Sequence, residues 1–265
     1  MSLGTLKLIV KFIVVTVLAL IAIGLLYWLF FVARWDWIPT YAPLLLKGLW
    51  LTLLLLVLSV VFGFVMAIPI GLVQVTGPPW LATIARGFCT VIRGTPLLVQ
   101  LFLIYYGLGS LFPQIGLAFP GFKDNFMWLI RLDGFYYAVL ALTLSFAGYE
   151  GEIMRGAFLG VPRGELEAAR AYGMSPYKVV TRVWFPRAIR LVLPTLAGET
   201  VLQLQATPLA FTITVMDLMG STSKVRQDLL ITFEPLMFLA VIYMVLTFLI
   251  VYAFGLVEKM VPQKR

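Results

Sequence analysis

The sequence predicts an all-α protein, a polytopic bundle of about six membrane-spanning helices. Three observations carry that expectation. Of 265 residues, 62% are hydrophobic and 12% charged, with a mean hydropathy of +1.00, far outside the range of soluble globular chains. The apolar residues gather into runs long enough to cross a ~30 Å hydrocarbon core as helices. The only long polar interval, residues 161–194, is basic, with Arg163, Arg170, Lys178, Arg182, Arg187 and Arg190. It reads as a surface loop between spans.

Lys7 and Lys11 precede the first apolar run, residues 12–33. That run exceeds the apolar region of a signal peptide and lacks a convincing small-residue cleavage site, so residues 1–35 read as an uncleaved N-terminal helix. The interfacial aromatics Trp35 and Trp37 follow, and residues 36–265 form the main membrane domain. Its spans are expected at 49–75, 88–108, 136–158, 191–215 and 236–257. Thr76-Gly77-Pro78-Pro79 closes the first of these, and Gly94-Thr95-Pro96 breaks the second, because Pro96 removes a backbone donor. Such a break lines a cavity or packs on protein, which makes Thr95 a candidate solute-facing residue. Residues 109–133 read as a Gly/Pro-punctuated loop and 217–235 as another connection.

Placing the basic loop in the cytoplasm puts fourteen of the twenty cations on that side and six on the other. The positive-inside rule agrees, and six spans then leave both termini cytoplasmic.

Within the loop, Pro162 suits a first helical turn, Glu165 to Tyr172 are good helix formers and Gly173 is a terminator, where φ > 0 is free. Ser175-Pro176 opens a second short helix, which Pro186 is expected to interrupt. On the first helix Leu166, Ala169 and Gly173 form a small apolar stripe, able to seat in a groove, beside a polar one of Arg163, Glu167 and Arg170.

Glu167-Ala168-Ala169, three residues, Gly173, nine residues, then Val183-Trp184-Phe185-Pro186 resembles the EAA loop of permease subunits of ATP-binding-cassette importers. Val183 and Phe185 stand where that pattern has Ile and Leu. Arg93-Gly94-Thr95-Pro96-Leu97-Leu98-Val99-Gln100 and Glu152-Ile153-Met154-Arg155-Gly156-Ala157 resemble its polar amino-acid and opine branch, which includes the histidine/lysine/arginine/ornithine permeases. The resemblance implies a type I importer permease of a bacterial inner membrane. It also implies that loop 159–190 docks on an ATPase through Glu167, Ala168, Ala169, Gly173, Arg163 and Arg170. The implied partners are a second permease, homologous or identical, two ATP-binding subunits that hold ATP and Mg, and a periplasmic or surface-tethered substrate-binding protein. The N-terminal helix is additional to the five-span core of that family.

Three acids lie within spans: Glu150, Glu152 and Glu199. A charge at a helix centre costs about 2.5–3.5 kcal/mol on insertion scales and needs a partner or a cavity. Glu152 has Arg155 at i+3; Glu150 has no such neighbour. Glu199, Gln203 and Thr207 recur at four-residue spacing as one polar stripe, either a wall of a solute path or a hydrogen-bonded helix seam. Gln205 stands where related permeases often carry Lys, and Ser145 where Asn is usual. An acid-rich, cation-poor interior favours a cationic amino acid or opine, with Glu199 first, Glu150 second, and Gln203, Thr207 and Thr95 completing the candidates.

Histidine is absent and Cys89 stands alone, so no Cys/His metal cluster or disulfide framework is expected. Basic residues spread between spans argue against nucleic acid. With no phosphate-binding loop of its own, the chain is expected to hold no cofactor, to catalyse no covalent chemistry and to take energy from a partner. The alternative is a proton-coupled secondary transporter using the intramembrane acids, but no repeat relates the two halves.

Overall fold

The computed structural model describes residues 11–17, 19–20, 23–24, 27, 33–119, 121 and 132–260. Every regular element among them is helical. The N-terminal helix expected within residues 1–35 falls largely outside the described residues; 11–17 are helical and exposed.

Helix α1, Ile38–Thr76, is 39 residues long and rises about 58 Å. It begins eleven residues before the expected 49. Pro39 lies in the first turn, where its missing N–H costs no bond, and Trp37 and Leu45 are buried against Leu218 and Val225. The buried edge of α1 is a stripe of small residues, Gly48, Thr52, Ser59, Gly63, Ala67 and Gly71, which lets another backbone approach closely. A Cβ on Gly63 would stand 2.9 Å from the Phe146 Cβ, and one on Gly71 2.6 Å from the Met154 Cβ. Both positions therefore meet α4, Gly134–Gly160, and the rising register makes the two helices parallel.

Between them run α2, Pro79–Gly94, and α3, Leu97–Ala118, separated at Thr95–Pro96. The single broken span expected at 88–108 is thus two helices, and the expected loop from 109 is still helix as far as Ala118. Gly109 and Pro113 signal a break locally. A π turn at Leu103–Leu108 resets the hydrogen-bond register ahead of Pro113, and Phe112 keeps its place against the central core. Asp133 caps α4 by accepting from the Phe135 N–H at 2.8 Å.

The polar interval folds as α5, Arg163–Ala171, and α6, Pro176–Val179. A π turn, Val180–Trp184, joins α6 to α7, Phe185–Ala206. Pro186 therefore does not interrupt the second loop helix. The wide turn comes just before it, and Pro186 occupies the first turn of α7, where a donor is dispensable. Beyond Ala206 the chain tightens into a 3-10 segment, Thr207–Ile213, and Thr214 turns it at φ 72°.

The expected connection at 217–235 contains a further helix, α8, Leu218–Leu229, capped by Asp217 accepting from the Gly220 N–H at 2.9 Å. It packs on α1, where a Cβ on Gly48 would stand 2.3 Å from the Ser221 Oγ. Helix α9, Phe233–Met260, closes the domain. Ile38–Thr76, Leu97–Ala118 and Phe233–Met260 are each long and apolar enough to cross a membrane, and Pro176–Ile213 taken together with Leu218–Leu229, at a bend of 54°, meets the same criterion. Helix α4 has 27 residues but carries Glu150, Glu152 and Arg155. The remaining span of the expected six, in the apolar N-terminal run, lies largely outside the described residues.

Candidate functional site

Two regions gather the polar residues singled out by the sequence. In the surface loop, Leu166 and Ala169 are 7% and 6% exposed, turned onto Phe158, Val161, Val179 and Trp184. The apolar stripe of α5 is thus occupied by the chain's own core. The outward face carries Arg163, Glu167, Ala168 and Arg170. Gly173 sits at φ +77° with open space beside it. Its N–H donates to the Arg170 carbonyl at 2.9 Å, and the Met174 N–H to the Ala169 carbonyl at 3.2 Å, a Schellman closure of α5. The interval between Ala169 and Gly173 is therefore set by helix termination: glycine falls at the first left-handed position.

Three contacts fasten the loop. The Trp184 indole N–H donates to the Phe158 carbonyl at 2.8 Å, and the two rings meet edge to face at 5.6 Å. Arg187 Nε donates to Glu165 Oε2 at 2.7 Å, and its Nη2 pairs with Oε1. Those hydrogen bonds, and then the charge of the guanidinium, hold the Glu165 carboxyl below the usual carboxylate range. A cleft of about 290 Å³ opens between α5 and the ends of α1 and α4, with Arg163, Glu167 and Arg170 on its walls.

In the membrane domain the structure divides the Glu199, Gln203 and Thr207 stripe. Gln203 is buried, and its Nε2 donates to the Ser59 Oγ at 2.9 Å and the Leu142 carbonyl at 3.0 Å. Thr207, also buried, donates to the Leu204 carbonyl at 2.8 Å and meets the Tyr243 hydroxyl at 2.9 Å. These two tie α7 and its 3-10 extension to α1, α4 and α9. Half-buried Glu199 instead faces a cavity of about 260 Å³, with Ser145, Tyr149, Leu97, Leu202 and Gln203 among its walls. Glu150 is 0% exposed, and neither of its carboxylate oxygens has a hydrogen-bond partner among the described residues. It lies within electrostatic reach of Glu199. Glu152 is bonded by Arg155, whose Nε donates to Oε1 at 2.8 Å. Gln205 is exposed on another face of α7.

Thr95 is exposed at the α2–α3 break, where its hydroxyl donates to the Val91 carbonyl at 2.8 Å. Gln100 ties the break together: its Nε2 donates to the carbonyls of Ile92 and Thr95 at 2.8 and 3.0 Å and to the Thr95 Oγ1 at 2.9 Å. It thereby satisfies helix-end acceptors that Pro96 and the break leave open. The sequence offered one signal for this, a polar residue four positions after Pro96 in an apolar run. Arg93, the penultimate residue of α2, lies over the Tyr149 ring at 5.8 Å, a second residue that sequence reasoning left without a role. Among the described residues no group of three or more His, Cys, Asp or Glu could hold a metal.

A helical membrane domain with a two-helix basic loop and a broken second span is an arrangement with known relatives. Residues 59–261 match the family described as the binding-protein-dependent transport system inner membrane component. The chain belongs to that family. This permease is 39% identical over 222 residues to the octopine transport system permease protein OccM of Rhizobium radiobacter, covering 83% of this chain and 87% of that one. It is 37% identical over 212 residues to the histidine/lysine/arginine/ornithine transport system permease protein HisM of Escherichia coli K12, covering 80% and 86%. The crystal structure of an amino acid ABC transporter with histidines superposes with a TM-score of 0.72 at 31% identity, covering 86% of the permease and 99% of the solved chain. The permease is thus a type I ABC importer membrane subunit in fold, as the motif resemblance implied.

Proposed function

We propose that the permease forms the translocation path of an ATP-driven importer for a cationic amino acid or an opine in a bacterial inner membrane, with both termini cytoplasmic. Its similarity to octopine and histidine/lysine/arginine/ornithine permeases supports the solute class. The observation that carries the cationic preference is Glu199, a carboxylate open to a cavity, with the unpartnered Glu150 behind it. Opposite charges attract several-fold more strongly in such a low-dielectric passage than in water. A cation entering it stabilises acids that lipid alone would penalise. In this reading Gln203 and Thr207 hold the cavity wall in register, and Thr95 belongs to the helix break two residues before the wall residue Leu97. The outward face of α5, with Glu167, Ala168, Arg163 and Arg170, and the Gly173 turn contact one of two ATP-binding subunits. A second permease subunit and a substrate-binding protein complete the assembly.

The test compares uptake of L-arginine and of a neutral amino acid by reconstituted complexes carrying Glu199→Gln or Glu150→Gln. Selective loss of arginine uptake is expected. Intact arginine uptake in both variants, or equal loss of both solutes, rejects the electrostatic assignment. In the same assay Glu167→Lys is expected to leave ATP hydrolysis uncoupled from uptake, and normal transport by that variant would remove the contact from the loop.

A further inference from the structure

We infer that Arg93 is the carboxylate-recognition residue of the solute site, so that the permease selects molecules carrying an anionic group beside their cationic one; this rests on the reading of Glu199 as the solute's cation partner. Arg93 is one residue from Ile92, whose Cγ2 would stand 2.5 Å from a Cβ on Gly148. That contact is near the middle of α4, Gly134–Gly160, so Arg93 lies at the depth of the membrane interior. A guanidinium there is costly against lipid and is found facing protein or a water-filled cavity. Yet Arg93 is exposed, and among the described residues no carboxylate is in salt-bridge contact with it; the three ion pairs are Arg155–Glu152, Arg187–Glu165 and Lys224–Asp228.

Tyr149 links it to the Glu199 cavity. The guanidinium lies over Tyr149, a wall residue of that cavity, and such stacking fixes its plane while leaving its N–H donors free. It is within electrostatic reach of Glu199. A cavity of about 260 Å³ thus has a carboxylate, Glu199 of α7, in its wall and a cation, Arg93 of α2, stacked on another wall residue. In the solute-free chain the two attract each other. A solute bearing both charges inserts between them, its carboxylate taking the planar fork of Arg93 bidentately and its cationic group taking Glu199. Both protein charges keep a partner throughout, so neither is stranded in the membrane. A simple amine satisfies Glu199 but leaves Arg93 unanswered.

The experiment measures binding of L-arginine and of agmatine, its decarboxylated analogue, to the purified permease–ATPase complex by calorimetry without a binding protein. Wild type is expected to bind arginine more tightly than agmatine. Arg93→Gln should weaken arginine binding by roughly tenfold to a hundredfold, the effect of losing one charge-assisted hydrogen-bonded pair, while agmatine binding is kept or strengthened, since a competing cation beside Glu199 is gone, and reports an intact site. Arg93→Lys should recover part of the loss. Equal weakening of both ligands by Arg93→Gln, or no weakening of either, overturns the assignment. Glu199→Gln separates the two inferences. If it weakens both ligands, the solute site stands whatever Arg93 does; if it weakens neither, or if wild type binds neither, the site itself is elsewhere and the Arg93 role falls with it.

Discussion

The indole N–H of Trp184 donates to the backbone carbonyl of Phe158 at 2.8 Å, across 26 residues of chain. Phe158 belongs to the last turns of α4 and Trp184 ends the π turn before α7, so this bond closes the base of the surface loop. The bond is buried, and its acceptor is a carbonyl near a helix end, where no partner within α4 replaces the indole.

Trp184→Phe keeps an aromatic ring against Phe158 but removes the donor. An orphaned buried acceptor costs roughly 1–3 kcal/mol. The expected outcome is a lowered melting temperature of the purified complex together with weaker coupling of ATP hydrolysis to uptake. An unchanged melting curve would mean that the ring contact alone holds the loop.

At Gly173 the backbone, and not space, sets the constraint. With φ +77° and nothing within 4 Å of an added Cβ, a β-branched residue there costs about 1–2 kcal/mol or more in backbone strain. Gly173→Val should impair coupled uptake more than Gly173→Asn, because Asn tolerates the left-handed region. Gly160→Val is the steric control, where a Cβ would stand 3.2 Å from a Leu191 methyl. Equal tolerance at Gly173 and Gly160 would remove the turn from the mechanism.

Helix packing along α1 depends on the absence of side chains. A Cβ at Gly71 would stand 2.6 Å from the Met154 Cβ and 2.9 Å from the Arg155 nitrogen, and the latter is backbone that cannot swing aside. Gly71→Ala is expected to destabilise the domain by about 1–3 kcal/mol, the usual cost of overpacking. Gly156→Ala, on α4 with nothing within 4 Å, should be neutral or slightly stabilising. Detergent-solubilised unfolding of the two variants checks the contrast.

The Glu165–Arg187 pair carries a pH signature. Hydrogen bonds from Arg187 lower the Glu165 pKa in the folded loop. Its stabilising contribution is therefore fully present above the unfolded value, about 4.3, and is lost as pH falls through the lower folded value. Protection factors across α5, with the intrinsic pH dependence of amide exchange divided out, should be insensitive to this pair from about pH 7 to about pH 5 and fall under stronger acid. Arg187→Gln should abolish that acid-dependent component. A loop that loosens between pH 7 and pH 5 would assign the effect to another group.

What the sequence by itself determined is whatever depends on local composition and period. Apolar runs, the cation bias and the Gly173 terminator mark the helical class, the surface loop and its two helices, because burial in lipid and helix termination act within a few turns of chain. Even there Pro186 misled, since the π turn at Val180–Trp184 that accommodates it leaves no mark in composition. Only the tertiary structure decided which face of each helix meets which neighbour. Glu199, Gln203 and Thr207 share one stripe by period. Gln203 is claimed by Ser59 and Leu142, 144 and 61 residues away, Thr207 by Tyr243, 36 residues on, and Glu199 is left facing a cavity. Helical spacing tells which side chains point together. Whether that direction holds a hydrogen-bond partner, a cavity or an aromatic ring, as Tyr149 stands under Arg93, is settled by packing between helices far apart in the chain.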